Sequence, residues 1–274
     1  MKKKKRSWFK RAILLLPILL MLFAAFQFVY PDVSELKIKN PVKTAFMSYR
    51  EKEWEREGKK YRINQKWVPL KAISPYLIKA VLIGEDDKFW SHEGFDYEAM
   101  QKALEKDIKA KKFKLGGSTI SQQLSKNLYL SPSKNPLRKI REAIITWRME
   151  RTISKKRILE LYLNVAEWGD RGIFGIEAAA RKYYGKSAAA LGPEEASRLA
   201  SILPNPRKFN PLGSQGYVVH RSNLIYNIMV RRGIVVPEYE EVAEPDKSAE
   251  EQIVTLPESP LPESPGTKEA QPKP

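Results

Sequence analysis

The chain has 274 residues, no cysteine and only two histidines. This composition excludes disulfides and thiolate chemistry, and two imidazoles make a histidine-built metal site improbable. The formal net charge of +17 would indicate a nucleic-acid partner in a cytosolic protein, so the compartment of the chain decides what the charge means.

The first 30 residues predict a membrane anchor. Residues 1–11 (MKKKKRSWFKR) are strongly basic, and the apolar run 12–30 that follows is interrupted only by Pro17 and Gln27. At about 1.5 Å per residue, this run nearly spans the hydrocarbon core of a bilayer. A cleaved signal peptide is the alternative, but the run is longer than a usual signal core and no clean A-x-A site follows Phe23. The positive-inside rule then places the N-terminus in the cytoplasm and the domain outside the membrane.

The charge is concentrated in the middle of the chain. Residues 12–237 hold +17 on their own, because the basic N-terminus and the acidic segment 238–274 cancel each other. Outside the membrane the nearest anions are lipid headgroups and diphosphate-linked lipids, to which each basic residue near the surface adds up to about 1 kcal/mol of attraction. Residues 31–66 are expected to be a membrane-proximal linker with a short strand or two, and 238–274 is Pro-rich and acidic, which predicts a disordered tail.

Residues 67–237 are predicted to form one mainly α-helical domain, since helical periodicity recurs and no alternating strand pattern rises above noise. Ser74 and Pro75 are typical of a helix start, and that helix delivers Glu85 into an acidic turn. A further helix is predicted from Ser154, and the spacing of Ile158, Leu159, Leu161, Tyr162 and Val165 assigns these residues to the core. Two more helices are predicted, over Ile176 to Tyr184 and from Pro193 through Leu203.

The acidic turn GEDDKFWSHEGFD begins at Gly84. Its spacing does not fit an EF-hand calcium loop, which leaves a solvated turn or a catalytic carboxylate. His92 is expected to hold the turn rather than to carry protons. The lysine-rich stretch that follows, residues 106–114, contains Phe113 and on its own indicates a solvated basic loop.

A Gly-Gly pair at 116–117 precedes a second helix, for which Ser118 is the expected N-cap and Thr119 the first residue. One side of this helix is a core face and the nearly opposite side is polar. By pattern alone, a solvated helix face explains the polar side more readily than a binding cleft. The polar side comprises Ser118, Gln122 and Lys126, and the core face comprises Ile120, Leu124 and Leu128.

A third amphipathic helix follows, with an apolar stripe along one side. Arg138 and Glu142 are four residues apart off that stripe, which is typical of a surface ion pair. A carboxylate among several guanidinium groups also suits a site that handles phosphate, because Arg binds phosphate oxygens bidentately. The stripe comprises Leu137, Ile140, Ile144 and Trp147, and Arg141, Arg148 and Arg151 also lie off it.

These motifs, together with KKRILELYLNVAEWGDRGIFGIEAAARKYYGK and LASILPNPRKFNP, resemble the peptidoglycan glycosyltransferases of glycosyltransferase family 51. More narrowly, they resemble the monofunctional biosynthetic peptidoglycan transglycosylases. The resemblance runs from about Trp67 to Pro211. It implies a lysozyme-like, mainly α-helical domain at the outer face of the bacterial cytoplasmic (inner) membrane. The implied reaction polymerises lipid II into β-1,4-linked glycan strands, with inversion and release of undecaprenyl diphosphate.

The resemblance also implies roles for individual residues. Glu85 matches the general base, and Glu142 matches a second essential carboxylate that acts near the diphosphate with a divalent cation, Mg or Mn. Lys88 and Lys134 stand where some family members carry arginine, so the bidentate fork is lost there. The basic loop corresponds to a mobile segment that faces the membrane, where Phe113 would touch lipid. The implied substrate-binding residues are Lys88, Ser118, Thr119, Gln122, Gln123, Lys126, Lys134, Arg138 and Arg141.

The implied partners are lipid II, the nascent glycan strand, membrane lipids and proteins of wall synthesis or division, with no nucleic acid. Two rival functions remain open at this point. A lysozyme or lytic transglycosylase would also place a glutamate at a helix end but would not need the cations beside Glu142. A non-catalytic anchored module that binds wall or lipid would explain the charge but not the two glutamates. No transpeptidase activity, and so no covalent β-lactam adduct, is expected, because S-x-x-K at 131–134 has no K-T-G partner.

Overall fold

The computed structural model describes residues 28–110, 117–132 and 135–235, together with Leu15, Pro17, Ile18, Met21 and Phe26. Most of the predicted anchor, the tail 238–274, Phe113 and Lys134 lie outside the described residues. No helix in these ranges is both long and apolar enough to cross a membrane.

The described chain is mainly α-helical, as predicted, with one small sheet. In that sheet the strand Ile173–Phe174 (β3) lies in the middle, parallel to Asn64–Gln65 (β1) and antiparallel to Glu167–Gly169 (β2). Single 3-10 turns occur at Ser34–Lys37, Leu70–Ala72 and Ala188–Ala190. The helices are α1 (Ala45–Arg56), α2 (Pro75–Glu85), α3 (Tyr97–Ala110), α4 (Ile120–Tyr129), α5 (Pro136–Thr152), α6 (Lys155–Val165), α7 (Ile176–Tyr184), α8 (Pro193–Ile202) and α9 (Gly216–Arg231).

Local signals explain where several helices begin. Pro75 and Pro193 occupy the first turns of α2 and α8, where a missing N–H costs nothing. Ser154 caps α6, because its hydroxyl accepts a hydrogen bond from the Arg157 N–H. The predicted starts of these three helices are therefore confirmed.

The start of α4 differs by one residue from the prediction. Thr119, not Ser118, is the N-cap, and the helix begins at Ile120. The Thr119 hydroxyl accepts from the Gln122 N–H at 3.2 Å, and the Gln122 side-chain oxygen accepts from the Thr119 N–H at 3.0 Å. This reciprocal capping box satisfies two N–H groups that the helix itself leaves unpaired. The Thr119 hydroxyl also donates to the Gly94 carbonyl at 2.7 Å, which ties the helix to the acidic turn.

The main core lies between two groups of helices. Helix α2 packs on α8 and α9, while α4 packs on α5 and α6. The predicted core face of α4 is confirmed, and the apolar residues of α6 are buried as expected. Each fully buried large aliphatic side chain contributes roughly 1.5–3 kcal/mol. Side chains at the centre of this core include Leu77, Ile120, Leu124, Ile158 and Leu161.

The apolar stripe of α5 does not face the core. Leu137, Ile140 and Trp147 are 67%, 57% and 44% exposed. The side of α5 that is buried instead carries polar groups, Glu142 and Thr146, alongside Ile145 and Met149. Helix α5 turns this mixed side toward α4, where the Thr146 hydroxyl donates to the Ser125 hydroxyl at 3.0 Å. The apolar stripe is consequently left on the outside.

The stretch 31–66 is part of the fold rather than a linker. It contains α1, whose Met47 and Trp54 are buried with Phe174 in a second, smaller core. Arg50 of the same helix binds both carboxylate oxygens of Glu167 on β2, at 2.9 and 2.7 Å. The short strand expected in this stretch is present as β1.

Gly175, which precedes α7, can be tested as a structural position. Its φ is +79°, and an added Cβ would lie 2.6 Å from the Asn164 carbonyl oxygen. We expect Gly175→Ala to lower the free energy of unfolding by about 2 kcal/mol or more, since backbone strain and a clash add together.

Gly185→Ala is the matched control. Its φ is +67°, but an added Cβ meets nothing within 4 Å. The free energy of unfolding should fall by only about 1 kcal/mol, the cost of the left-handed conformation for alanine. Denaturant unfolding of both variants measures the difference, and equal losses would contradict the proposed clash.

Candidate active site

Glu85 is the last residue of α2, and its carboxylate is held by two other helices. Its side chain is 9% exposed. One oxygen accepts from Gln123 Nε2 at 2.9 Å, and the other accepts from Arg221 Nη2 of α9 at 3.1 Å. Burial raises the pKa of Glu85, while these two bonds and the nearby Lys126 charge oppose the rise. A carboxylate whose pKa is raised in this way is suited to accept a proton from a substrate hydroxyl.

Gln123 can donate to Glu85 because its other end is occupied. Its side-chain oxygen accepts from the Tyr162 hydroxyl of α6 at 3.1 Å. Burial raises the pKa of Tyr162 well above its ordinary value, so this hydroxyl stays protonated and remains a donor. The amide is therefore oriented with its NH₂ group toward the carboxylate.

The turn after Glu85 is joined to α4 through Asp86. One Asp86 oxygen accepts from the Ile120 N–H at 2.8 Å, and the other lies 2.9 Å from His92 Nε2. The Gly94 N–H donates to His92 Nδ1 at 3.1 Å, so Nδ1 is an acceptor and Nε2–H is assigned as the donor to Asp86. The carboxylate also lies at the positive end of a helix dipole. Asp86 and His92 thus hold the turn that carries Glu85.

Glu142 forms a second buried carboxylate centre, 3% exposed, on α5. One oxygen accepts from Arg138 Nη1 at 2.5 Å, and the other accepts from Lys139 Nζ. Lys139 Nζ also reaches the Ser118 hydroxyl at 3.4 Å. Two cations one turn away therefore neutralise this carboxylate, and Lys139 also joins it to the residue before the N-cap of α4.

Lys126 lies between the two carboxylate centres. Burial lowers the pKa of Lys126, whereas the negative charges of Glu142 and Glu85 act in the opposite direction. No hydrogen bond or ion pair joins its amino group to any other described residue. Its three donor positions are therefore available to an anionic ligand.

Other predicted site residues have structural contacts of their own. Gln122 is 3% exposed and is used in the cap of α4, as is Thr119. Lys88 pairs with Glu98 at the surface. The buried Nε of Arg141 has no hydrogen-bond partner among the described residues. Their substrate contacts, and that of Lys134 outside the described residues, stay predictions.

The Glu85–Gln123 pair lies between two cavities. Glu85, Lys88 and Ser118 border one of about 230 Å³. Gln123 and Lys126 border the other, of about 190 Å³. Each member of the Glu85–Gln123 pair therefore borders a cavity of its own, and a reaction between two substrates needs two such binding places.

A resident metal site is not evident in the described part of the chain. There, no three or more His, Cys, Asp or Glu side chains are grouped so as to hold an ion. Both oxygens of Glu142 already accept from Arg138 and Lys139. A divalent cation at Glu142 would therefore take most of its ligands from water or substrate phosphates, as Mg²⁺ does elsewhere. The expected cation stays a prediction.

Sequence reasoning missed three residues of this site. Arg221 is 136 residues from Glu85 and stands outside every motif that drew attention, so no local signal marked it. Tyr162 was assigned to the core, where its ring does lie. Lys139 precedes Glu142 by three residues, a helical spacing that could have revealed it alongside Arg138.

The bonds to Glu85 predict a measurable pKa change. Gln123→Met keeps the volume but removes a donor to the charged form, so the pKa of Glu85 should rise further. Tyr162→Phe frees the Gln123 amide and should raise that pKa by less. Carbon-13 NMR titration of the labelled Glu side chains measures both shifts. Gln101→Met on the exposed side of α3 is the control, and a Glu85 pKa unchanged in Gln123→Met would contradict the assignment.

Comparison with known proteins places this site in a family. The family model described as "Transglycosylase" matches residues 51–230, which include both carboxylate centres and Arg221. Proteins named biosynthetic peptidoglycan transglycosylase are similar to this chain in several bacteria. The protein of Dechloromonas aromatica is 54% identical over 171 residues, covering 62% of this chain and 74% of its own length.

Two further relatives carry the same name. That of Azoarcus sp. strain BH72 is 50% identical over 202 residues, covering 74% of this chain and 86% of its own. That of Nitrosospira multiformis is 41% identical over 229 residues, covering 84% of this chain and 98% of its own. With a family model that matches well over half of its residues, the chain belongs to the transglycosylase family.

Proposed function

We propose that the chain polymerises lipid II into the glycan strands of peptidoglycan, as a glycosyltransferase of cell-wall biosynthesis. The observation that carries the proposal is the position of Lys126, a half-buried cation without a partner among the described residues, near a carboxylate of raised pKa and a second, neutralised carboxylate. A base and a phosphate-binding cation side by side are what transfer from a lipid diphosphate requires. The relatives are named biosynthetic peptidoglycan transglycosylases, which supports glycosyl transfer in the synthesis of peptidoglycan.

In the proposed reaction, a sugar hydroxyl of one lipid II molecule attacks the anomeric carbon of the growing lipid-linked chain. Glu85 takes the hydroxyl proton as the new C–O bond forms. The bond between the anomeric carbon and the diphosphate oxygen breaks, and its electron pair leaves with the diphosphate. Attack from the opposite face gives inversion and a β-1,4 linkage.

The cations of the site are proposed to receive the leaving group. Lys126 and Arg138 would neutralise the charge that develops on the diphosphate. Glu142 would keep Arg138 and Lys139 in place, since it binds one with each oxygen. A divalent cation, when bound, would add positive charge at the same phosphates.

A glycan-cleaving enzyme remains the second candidate, because the domain is proposed to be lysozyme-like. A glutamate at the end of a helix, as Glu85 is on α2, is common to both activities. Cleavage of a glycosidic bond between uncharged groups would not explain the cations around Glu142. A non-catalytic binding module would not explain the raised pKa of Glu85.

We also propose that the domain stands on the outer face of the inner membrane behind a single N-terminal anchor. The exposed stripe of α5 supports this placement, since it would contact the bilayer surface. Arg148 of the same helix donates to the Val29 carbonyl at 2.7 Å, which joins α5 to the end of the predicted anchor. Contacts with proteins of wall synthesis or division stay predictions.

Polymerisation of labelled lipid II by the detergent-purified chain tests the function. Long glycan products should form, and Glu85→Gln should lower the rate at least about 100-fold, because the base is lost. Activity of the wild type should fall as the pH drops through the raised pKa of Glu85. Glu93→Gln, in the same turn but exposed and unpaired among the described residues, is the matched control and should stay active.

The other outcomes are distinct. Shortening of preformed glycan without polymer formation would replace the proposal by the lysozyme-like activity. Binding of lipid II without either reaction would leave an anchored binding module. A fully active Glu85→Gln would remove Glu85 from the role of base.

Lys126 gives a separate prediction. Lys126→Gln removes the unpaired cation, and kcat should fall by about 100-fold or more if it stabilises the leaving diphosphate. Lys79→Gln, an exposed change on α2, is the control for the loss of one charge. Steady-state kinetics with lipid II measure both variants, and a Lys126→Gln enzyme that loses no more than the control would refute the role.

A further inference from the structure

A third cavity has no part in the proposed chemistry. It lies beyond the catalytic cleft, by which we mean the two cavities that border Glu85 and Gln123. Its volume is about 440 Å³, within the range of small-ligand sites. It opens between the turn that joins β2 to β3 and the segment 206–210. Pro206 and Arg207 border both this cavity and the cavity of Gln123 and Lys126, so the two adjoin at these residues.

The walls of this outer cavity are strongly basic. Arg171, Lys182, Arg207 and Lys208 line it, with Asp170 as the acidic lining residue. Asp170 already pairs with Arg207 Nε at 3.7 Å. The other three cations form no ion pair with any described residue. The cavity therefore holds uncompensated positive charge that an anion would neutralise.

Arg171 adopts an unusual backbone conformation at this site. Its φ is +61°, in the left-handed region that residues other than glycine rarely occupy. Such a conformation costs on the order of 1 kcal/mol and persists where the surroundings require it, often at ligand sites. Arg171 lines the cavity, and a guanidinium group is the side-chain group that binds a carboxylate bidentately.

Two aromatic rings complete the walls, and both are held by contacts of their own. Phe209 stacks on Tyr217 with ring centroids 4.3 Å apart. The Tyr183 hydroxyl donates to the Trp168 carbonyl at 3.3 Å. A Cβ on Gly169 would lie 2.1 Å from the Tyr183 hydroxyl oxygen, so any side chain at position 169 would clash with Tyr183. Rings that are held in advance offer apolar faces at little entropic cost, which suits the flat faces of sugar rings.

We propose that the outer cavity binds a carboxylate-bearing sugar unit of the nascent glycan strand after it leaves the catalytic cleft. This inference rests on the proposed function. Three unpaired cations select an anionic unit, such as a sugar with a peptide arm, over an uncharged one. The shared border at Arg207 places the cavity next to the cleft in which the strand grows. The cavity would hold the product between successive additions.

A binding experiment tests the cavity without requiring turnover. The probes are soluble peptidoglycan tetrasaccharides with free peptide carboxylates and uncharged chitotetraose. The wild-type chain should bind the anionic probe more tightly. In the variant Arg171→Gln/Lys182→Gln/Lys208→Gln, affinity for it should fall at least about ten-fold, as expected for the loss of one charge-assisted hydrogen bond.

The charge-matched control is Lys52→Gln/Lys71→Gln/Lys79→Gln, three exposed lysines outside all three cavities. It should bind as the wild type does. Equal losses in both variants would mean that only net charge matters and would overturn the proposal. So would an unchanged affinity in the cavity variant.

The strand length gives the second readout. The cavity variant should consume lipid II at an unchanged initial rate but release shorter strands, because the product dissociates sooner. Strands of wild-type length would overturn the inference while leaving the proposed function intact. A wild-type chain that makes no polymer would instead refute the proposed function, and the binding experiment would still decide whether the cavity takes the anionic sugar.

Discussion

The burial of the Glu85 carboxylate is the constraint to which most of this structure responds. A carboxylate removed from water is costly unless donors replace the lost solvent. The donors come from Gln123 on α4 and Arg221 on α9, and Tyr162 on α6 orients the first of them. Four helices must therefore pack in the correct relative positions before the Glu85 carboxylate has its hydrogen-bond donors. The capping box and the Asp86 contacts hold the start of α4 in its position.

The interface between α4 and α5 is polar and charged rather than apolar. It buries Glu142 with two cations beside it, and it buries hydroxyl groups that hydrogen-bond across it. Buried ion pairs of this kind seldom add stability compared with an apolar contact of the same size. Their presence between two helices is better explained by the diphosphate chemistry proposed for the site. A polar interface on one side of α5 also explains why its apolar stripe is on the other.

Sequence reasoning succeeded where the signal was local. A proline in the first turn, or a serine with a free hydroxyl before it, marked the starts of α2, α6 and α8, because capping depends on neighbours in the chain. It did not give the orientation of α5, since periodicity reveals a stripe but not the partner of each face. It also failed for Arg221, whose contact with Glu85 exists only after α9 has packed. The stretch 31–66 was too polar to reveal α1, which is stabilised by a few large side chains.

Lys126 has a consequence for the lifetime of the protein. A half-buried amine that has no partner among the described residues lowers the stability of the empty fold, and the binding of an anion restores that free energy. The folded state should therefore be most durable when the cleft is occupied. If lipid II is the occupant, scarcity of this precursor would leave more of the chain open to unfolding and proteolysis. Abundance of the enzyme would then follow the supply of its precursor without any separate regulator.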